Sequence, residues 1–209
     1  MMAFQSYVVV VEPRLPSVSL GNIIITTQAN EPASAAVALV IQSMGTNHFS
    51  SLGSISKTGP GELWISQLDI NGPINGTITS ESITDILADG DISGSIHSVG
   101  SASGGQGQPG KVIQARSRFG SIFADIHAKD EIQSIQASQQ LGDGASSPIS
   151  ITGSSIRATL AGSINADIVC QNSQTMTYGV ISQIQTTSGD VRGSILAGSM
   201  APTTGVSEC

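Results

Sequence analysis

One short pattern constrains this chain more than any other feature. GPINGTI (Gly72 to Ile78), GDISGSI (Gly90 to Ile96), GSIFADI (Gly120 to Ile126), GSINADI (Gly162 to Ile168) and GDVRGSI (Gly189 to Ile195) all fit G-x-[IV]-x-[GA]-[STD]-I. A sixth, imperfect copy, ISITGSSI from Ile149 to Ile156, carries one extra residue before its last isoleucine. Ahead of each copy stands a looser element with two aliphatics three apart. Examples are ISQLDI (Ile65 to Ile70), ITDILA (Ile83 to Ala88), IQSIQA (Ile132 to Ala137) and ISQIQT (Ile181 to Thr186), with KVIQA (Lys111 to Ala115) as a partial match. Internal repetition at this period signals an array of stacked units. Gly, Ser, Gln and Pro-rich inserts near 98–110, 138–148 and 170–179 fall between elements, where a stack tolerates loops that leave it.

Alternate residues of a strand face the same way. In GDISGSI this register turns Gly90, Ile92, Gly94 and Ile96 inward and Asp91, Ser93 and Ser95 outward. Every copy then has an aliphatic or small inner face and a polar outer one, with Phe123 as the outward exception. Gly94 and its equivalents Gly76, Ala124, Ala166 and Gly193 are expected to form an inward column where the interior is narrow. Aliphatics three apart cannot share one face of a flat strand, so the looser element is expected to turn a corner between them. Successive copies are too close for the helical crossovers of a βαβ array, and Asn71-Gly72 and Asn75-Gly76 lie within the repeat rather than between strands, unlike hairpin turns. The expected fold is all-β: a right-handed, single-stranded parallel β-helix of about six coils, a solenoid about 29 Å long at about 4.8 Å per coil. Right-handedness follows the general hand of parallel crossovers.

An open end of such a stack exposes backbone and isoleucine, which calls for a cap. In EPASAAVALVIQSMG the apolar residues Ala33, Ala36, Val37, Val40, Ile41 and Met44 recur at helical spacing, Pro32 suits a helix start and Gly45 a helix stop. The spacing predicts an amphipathic capping helix over 32–44, with VSLGNIIIT (Val18 to Thr26) as an early strand. The expected organisation is an N-terminal region over 1–50, the parallel β-helix over 51–198 and an irregular tail over 199–209. No comparable cap follows the last glycine element. The polypeptide is therefore expected to continue past Cys209, or the uncapped C-terminal coil to associate end to end with another molecule.

Composition narrows the partners. Charged residues are 11% of the chain and aromatics 3%, so the interior must be aliphatic and solubility must rest on Ser, Thr, Asn, Gln and Gly. The net charge of −7 with no basic cluster argues against nucleic-acid binding. Two cysteines, Cys170 and Cys209, are too few for a disulfide framework or a zinc site. No stretch has the length and apolarity of a membrane span, and Val8 to Val11 is too short and wrongly flanked for a signal-peptide core.

The GxIxGxI alternation, from about Gly53 to Gly198, resembles the right-handed β-helix repeats of large bacterial surface and secreted proteins of the adhesin or autotransporter-passenger type. The resemblance implies an extracellular or cell-surface location and a structural or adhesive, non-enzymatic role, with glycans or other surface proteins as partners and no cofactor.

Candidate chemistry is sparse. GSASGGQGQPG has the glycines of a calcium-binding β-roll without its aspartate, no G-x-S-x-G elbow occurs, and no phosphate loop is completed by Lys-Ser/Thr. His97 and His127 each follow the last isoleucine of a glycine element and are expected to stack in adjacent coils, as candidates for a metal site or a pH sensor. The same register holds Thr79, Val169 and Leu196. Asp125 and Asp167 share one outward register with the imperfect copy between them. That sets them about 9.6 Å apart at two coil spacings, near the upper limit for an inverting carboxylate pair. They are the catalytic candidates of the alternative reading, a carbohydrate-active β-helix enzyme (polysaccharide lyase or glycoside hydrolase), with Arg157 and Arg192 nearby to neutralise an acidic polysaccharide.

Overall fold

The structure, a computed structural model, describes residues 5–11, 17–26, 36–43, 48–100, 110–143, 147–170 and 179–197. Among these residues there are strands and turns but no helix, so no helix is present that is long and apolar enough to cross a membrane.

Two long sheets and a narrow ladder are built from strands that all run parallel. The first sheet stacks eight strands in chain order: Gln5–Val11, Ala36–Ser43, Glu62–Ile70, Ser82–Ala88, Val112–Ser117, Glu131–Ala137, Ser155–Ala161 and Ile181–Thr186. Between consecutive members the chain contributes a strand to the second sheet, whose rungs include Ile23–Thr26, Ile55–Thr58, Thr77–Ser80, Ser95–Ser98, Asp125–Ala128, Ile149–Gly153 and Ser163–Cys170. Linking the two is a ladder of single bridges and short strands through Leu52, Ile74, Ile92, Ile122, Leu141, Ile164 and Val191. This all-β arrangement, with each segment lying beside its equivalent one repeat earlier, is compatible with a β-solenoid.

The repeat sets the register. The third position of the glycine element forms the ladder just named. Its last isoleucine forms a second column, Ile23–Ile55–Ile78–Ile96–Ile126–Ile151–Ile168–Ile195. The looser element forms a third, Leu39–Ile65–Ile83–Val112–Ile132–Ile156–Ile181, with Ile41, Leu68, Ile86, Ala115, Ile135 and Ile184 among a fourth. Most of these side chains are fully buried in one continuous cluster, each worth about 1.5–3 kcal/mol of transfer free energy. The corner expected in the looser element does not break the strand. Ile132 and Ile135 are both buried within one strand, and the ladder skips the residue pair between them, so that Val112↔Ile132 is followed by Gln114↔Ser134.

Six sequence expectations are corrected. Residues 36–43 of the predicted capping helix over 32–44 form a strand, paired on one side with Gln5–Val11 and on the other with Glu62–Ile70. Leu39 and Ile41, two apart, are both buried. AVALVI satisfies a period of two as well as 3.6, and the open edge of a parallel sheet selects the former. Pro32 and Gly45 lie outside the described residues. The first sheet consequently has eight strands rather than six, because the chain upstream of residue 51 supplies two. VSLGNIIIT becomes two strands, Ser17–Leu20 and Ile23–Thr26, parted by a corner at Gly21-Asn22.

The imperfect copy straddles two elements. Ile151 occupies the last-isoleucine column and Ile156 opens the next looser element. Leu141, within the insert near 138–148, takes the place of Ile122 and Ile164 in the bridge ladder.

Gly94 itself does not face a narrow interior. It is an exposed corner between the bridge at Ile92 and the strand Ser95–Ser98, with φ of +96°. A Cβ added there would lie 2.6 Å from the Gly76 carbonyl oxygen of the preceding rung. Gly193 repeats this, with φ of +94° and a Cβ 2.3 Å from the Ala166 oxygen. Ala124 and Ala166 in the same column are buried as expected.

Candidate functional site

The outer face of the second sheet carries the residues singled out in the sequence. One residue before the last-isoleucine column runs a polar one, Asn22–Ser54–Thr77–Ser95–Asp125–Ser150–Asp167–Ser194. A backbone N–H that the ladder does not pair needs another acceptor. The column supplies it from the rung before. The Ser54 N–H donates to Asn22 Oδ1 (3.0 Å), Thr77 N–H to Ser54 Oγ (3.0 Å), Ser150 N–H to Asp125 Oδ1 (2.7 Å) and Ser194 N–H to Asp167 Oδ1 (2.7 Å). Between Thr77 and Ser95 the two hydroxyls bond each other at 3.1 Å. Asp125 and Asp167 are thus in one outward column two rungs apart, as expected, with Ser150 between them, and each ties its rung to the next. Asp91 acts likewise at the bridge ladder, accepting from Ser121 N–H at 2.7 Å.

Two residues further along lies the column Thr79–His97–His127–Thr152–Val169–Leu196. His97 and His127 are direct neighbours on adjacent rungs, their ring centroids 6.1 Å apart and the planes tilted by 48°. His127 Nδ1 is hydrogen-bonded to Thr152 Oγ1. Partial burial, and then the neighbouring His97, lower the His127 pKa. Among the described residues no group of three or more His, Cys, Asp or Glu side chains is placed to hold a metal ion.

Charge is concentrated elsewhere, on the first sheet and its edges. Arg118 donates to Asp89 Oδ1 at 2.7 Å and to Asp69 Oδ1 at 3.2 Å, joining three successive rungs. Asp85 stands nearby with its Oδ1 buried and without a hydrogen-bond partner among the described residues; burial and Asp69 raise its pKa, opposed by Arg118 and Arg116.

Glu131 is buried and is held by Lys111 Nζ at 3.2 Å, by Arg157 Nε and by Gln133 Nε2 at 3.2 Å. Burial pushes its pKa up, but the bonds from Gln133, Lys111 and Arg157 outweigh burial and the net shift is downward. Arg157 is therefore committed to Glu131, and Arg192 lies 3.5 Å from Asp190. The Lys111–Glu131–Arg157 cluster was not singled out in the sequence. Its signal is there once the looser elements are aligned, since Lys111 and Glu131 each precede the first inward aliphatic (Val112 and Ile132) and Arg157 follows its equivalent, Ile156.

A cleft of about 280 Å³ lies between the last rungs, lined by Gln140, Ser163, Asn165, Asp190 and Arg192 among others. Neither Asp125 nor Asp167 lines it. Cys170 is a buried free thiol whose pKa burial raises; Cys209 lies outside the described residues. Compared with protein-family models, curated proteins and solved structures, the chain matches none at a significant level.

Proposed function

We propose that this chain is a right-handed parallel β-helix serving as a non-enzymatic structural or adhesive scaffold of a cell-surface or secreted bacterial protein, with glycans or other surface proteins as partners. One observation carries the reading: the outward polar column on the second sheet is occupied in holding one rung to the next. Asp125 and Asp167, the carboxylates a hydrolase or lyase would use, each accept a backbone N–H at 2.7 Å through Oδ1. Right-handedness rests on the general hand of parallel crossovers. The aliphatic side chains exposed on the last rung among the described residues, Val191, Ile195 and Leu196, support end-to-end association through the C-terminal coil, because exposed strand edges invite a further strand.

The test is a glycan array run beside incubation with neutral and acidic polysaccharides. Retention on glycans or on surface proteins without release of reducing or unsaturated ends is the expected result. Turnover that disappears in Asp125→Asn or Asp167→Asn would replace the scaffold reading with a carbohydrate-active enzyme.

A further inference from the structure

The register stacks the imidazoles of His97 and His127 on adjacent rungs of the outer face of the second sheet. We propose that His97 and His127 form a two-imidazole site for a late first-row divalent cation, Cu²⁺, Ni²⁺ or Zn²⁺, with water completing the coordination sphere.

The geometry is close to what such an ion needs. A metal held by Nε2 of both rings at about 2.0–2.1 Å and a tetrahedral angle places the ring centroids about 5.2 Å apart. Closing from 6.1 Å takes less than about 1 Å of approach, which rotation about the side-chain torsions supplies. Parallel pairing holds the two Cα atoms as direct partners, so little further ordering is required.

Thr152 on the next rung bonds His127 Nδ1. With Nδ1–H donating to that hydroxyl, the lone pair stays on Nε2. A partner of this kind on the non-ligating nitrogen is what orients a metal-binding histidine. The acidic side chain on this face nearest in sequence, Asp125, is engaged with Ser150 N–H through Oδ1 and leaves the imidazoles as the primary ligands. Imidazole suits ions in the Irving–Williams order, tightest for Cu²⁺, and discriminates against Ca²⁺ and Mg²⁺, which prefer oxygen.

The test uses the full 209-residue chain with Cys170→Ser and Cys209→Ser to remove thiol binding. Titration calorimetry with NiCl₂ is expected to show one site, followed by selective paramagnetic broadening of the His97 and His127 ring resonances. His97→Gln or His127→Gln should weaken binding at least about tenfold, and Thr152→Val by about tenfold through loss of the orienting bond. His48→Gln, on the separate strand His48–Leu52, should leave it unchanged, and CaCl₂ should give no heat. Binding that persists in the His97→Gln/His127→Gln double variant, or broadening that spares both rings in the parent chain, would overturn the site. Because the ring resonances are read in the parent chain, the proposal remains testable even if a variant fails to fold.

Discussion

GDISGSI and GDVRGSI are nearly the same heptapeptide, and they sit in very different surroundings. In the middle of the stack Ile92 and Ile96 are 0% and 1% exposed; in the last rung their counterparts Val191 and Ile195 are 46% and 47% exposed. Both copies make the same corner, with a glycine at φ of +96° and +94°, and both enter the same two columns. These two copies therefore share conformation and register, while the energy each yields depends on having a rung on either side.

The comparison is broken most directly by truncating the equivalent isoleucines. Ile96→Ala should cost about 2–5 kcal/mol in a urea melt, as expected for a fully buried large-to-small change. Ile195→Ala, at a half-open position, should cost less than about 1 kcal/mol. Equal losses would mean that the last rung is covered in solution. Close in size is Gly94→Ala, where a disfavoured φ and contact with the Gly76 oxygen combine to cost about 1–3 kcal/mol. The same substitution at Ala124 run in reverse, Ala124→Gly, should cost less, because that position already accommodates a methyl group.

Glu131→Gln should lower stability at pH 7 by about 2 kcal/mol, since it leaves Lys111 and Arg157 without their carboxylate. The pH dependence has a defined sign. The Glu131 pKa is lower in the folded protein, so its contribution is complete above the unfolded value and is lost as pH falls through the folded one. Thermal melts from pH 7 down to pH 3 should show parent and variant converging at the acid end. The smallest effect is a gain. Thr159 is buried in the column that holds Ile135 and Ile184, and its Oγ1 has no hydrogen-bond partner among the described residues. Thr159→Val should stabilise the chain by about 1 kcal/mol, seen as a rise in Tm.

Much of the stack was legible in the sequence because isoleucine spacing reports burial directly. The columns through Ile74, Ile92, Ile122 and Ile164 and through Ile78, Ile96, Ile126 and Ile168 follow from aligning the heptapeptides, and so does the adjacency of His97 and His127. The segment 36–43 was misread because its apolar residues fit two periods, and only the neighbouring strands distinguish them. Gly94 was misread for a different reason. A period-two rule assumes an extended strand throughout, and a corner with positive φ breaks it without changing which isoleucines point inward.

The amino-acid pattern by itself determined an all-aliphatic, all-β, parallel stack and the order in which its rungs meet, because side-chain alternation and repeat length are local and additive. Tertiary structure alone decided what those rungs do for one another. The occupation of Asp125 and Asp167 by the next rung's amides, the burial of Glu131 between two cations and the exposure of Ile195 all depend on which backbone lies one strand spacing away. The repeat encodes which rung lies there, but the contacts its atoms make exist only once the chain has stacked.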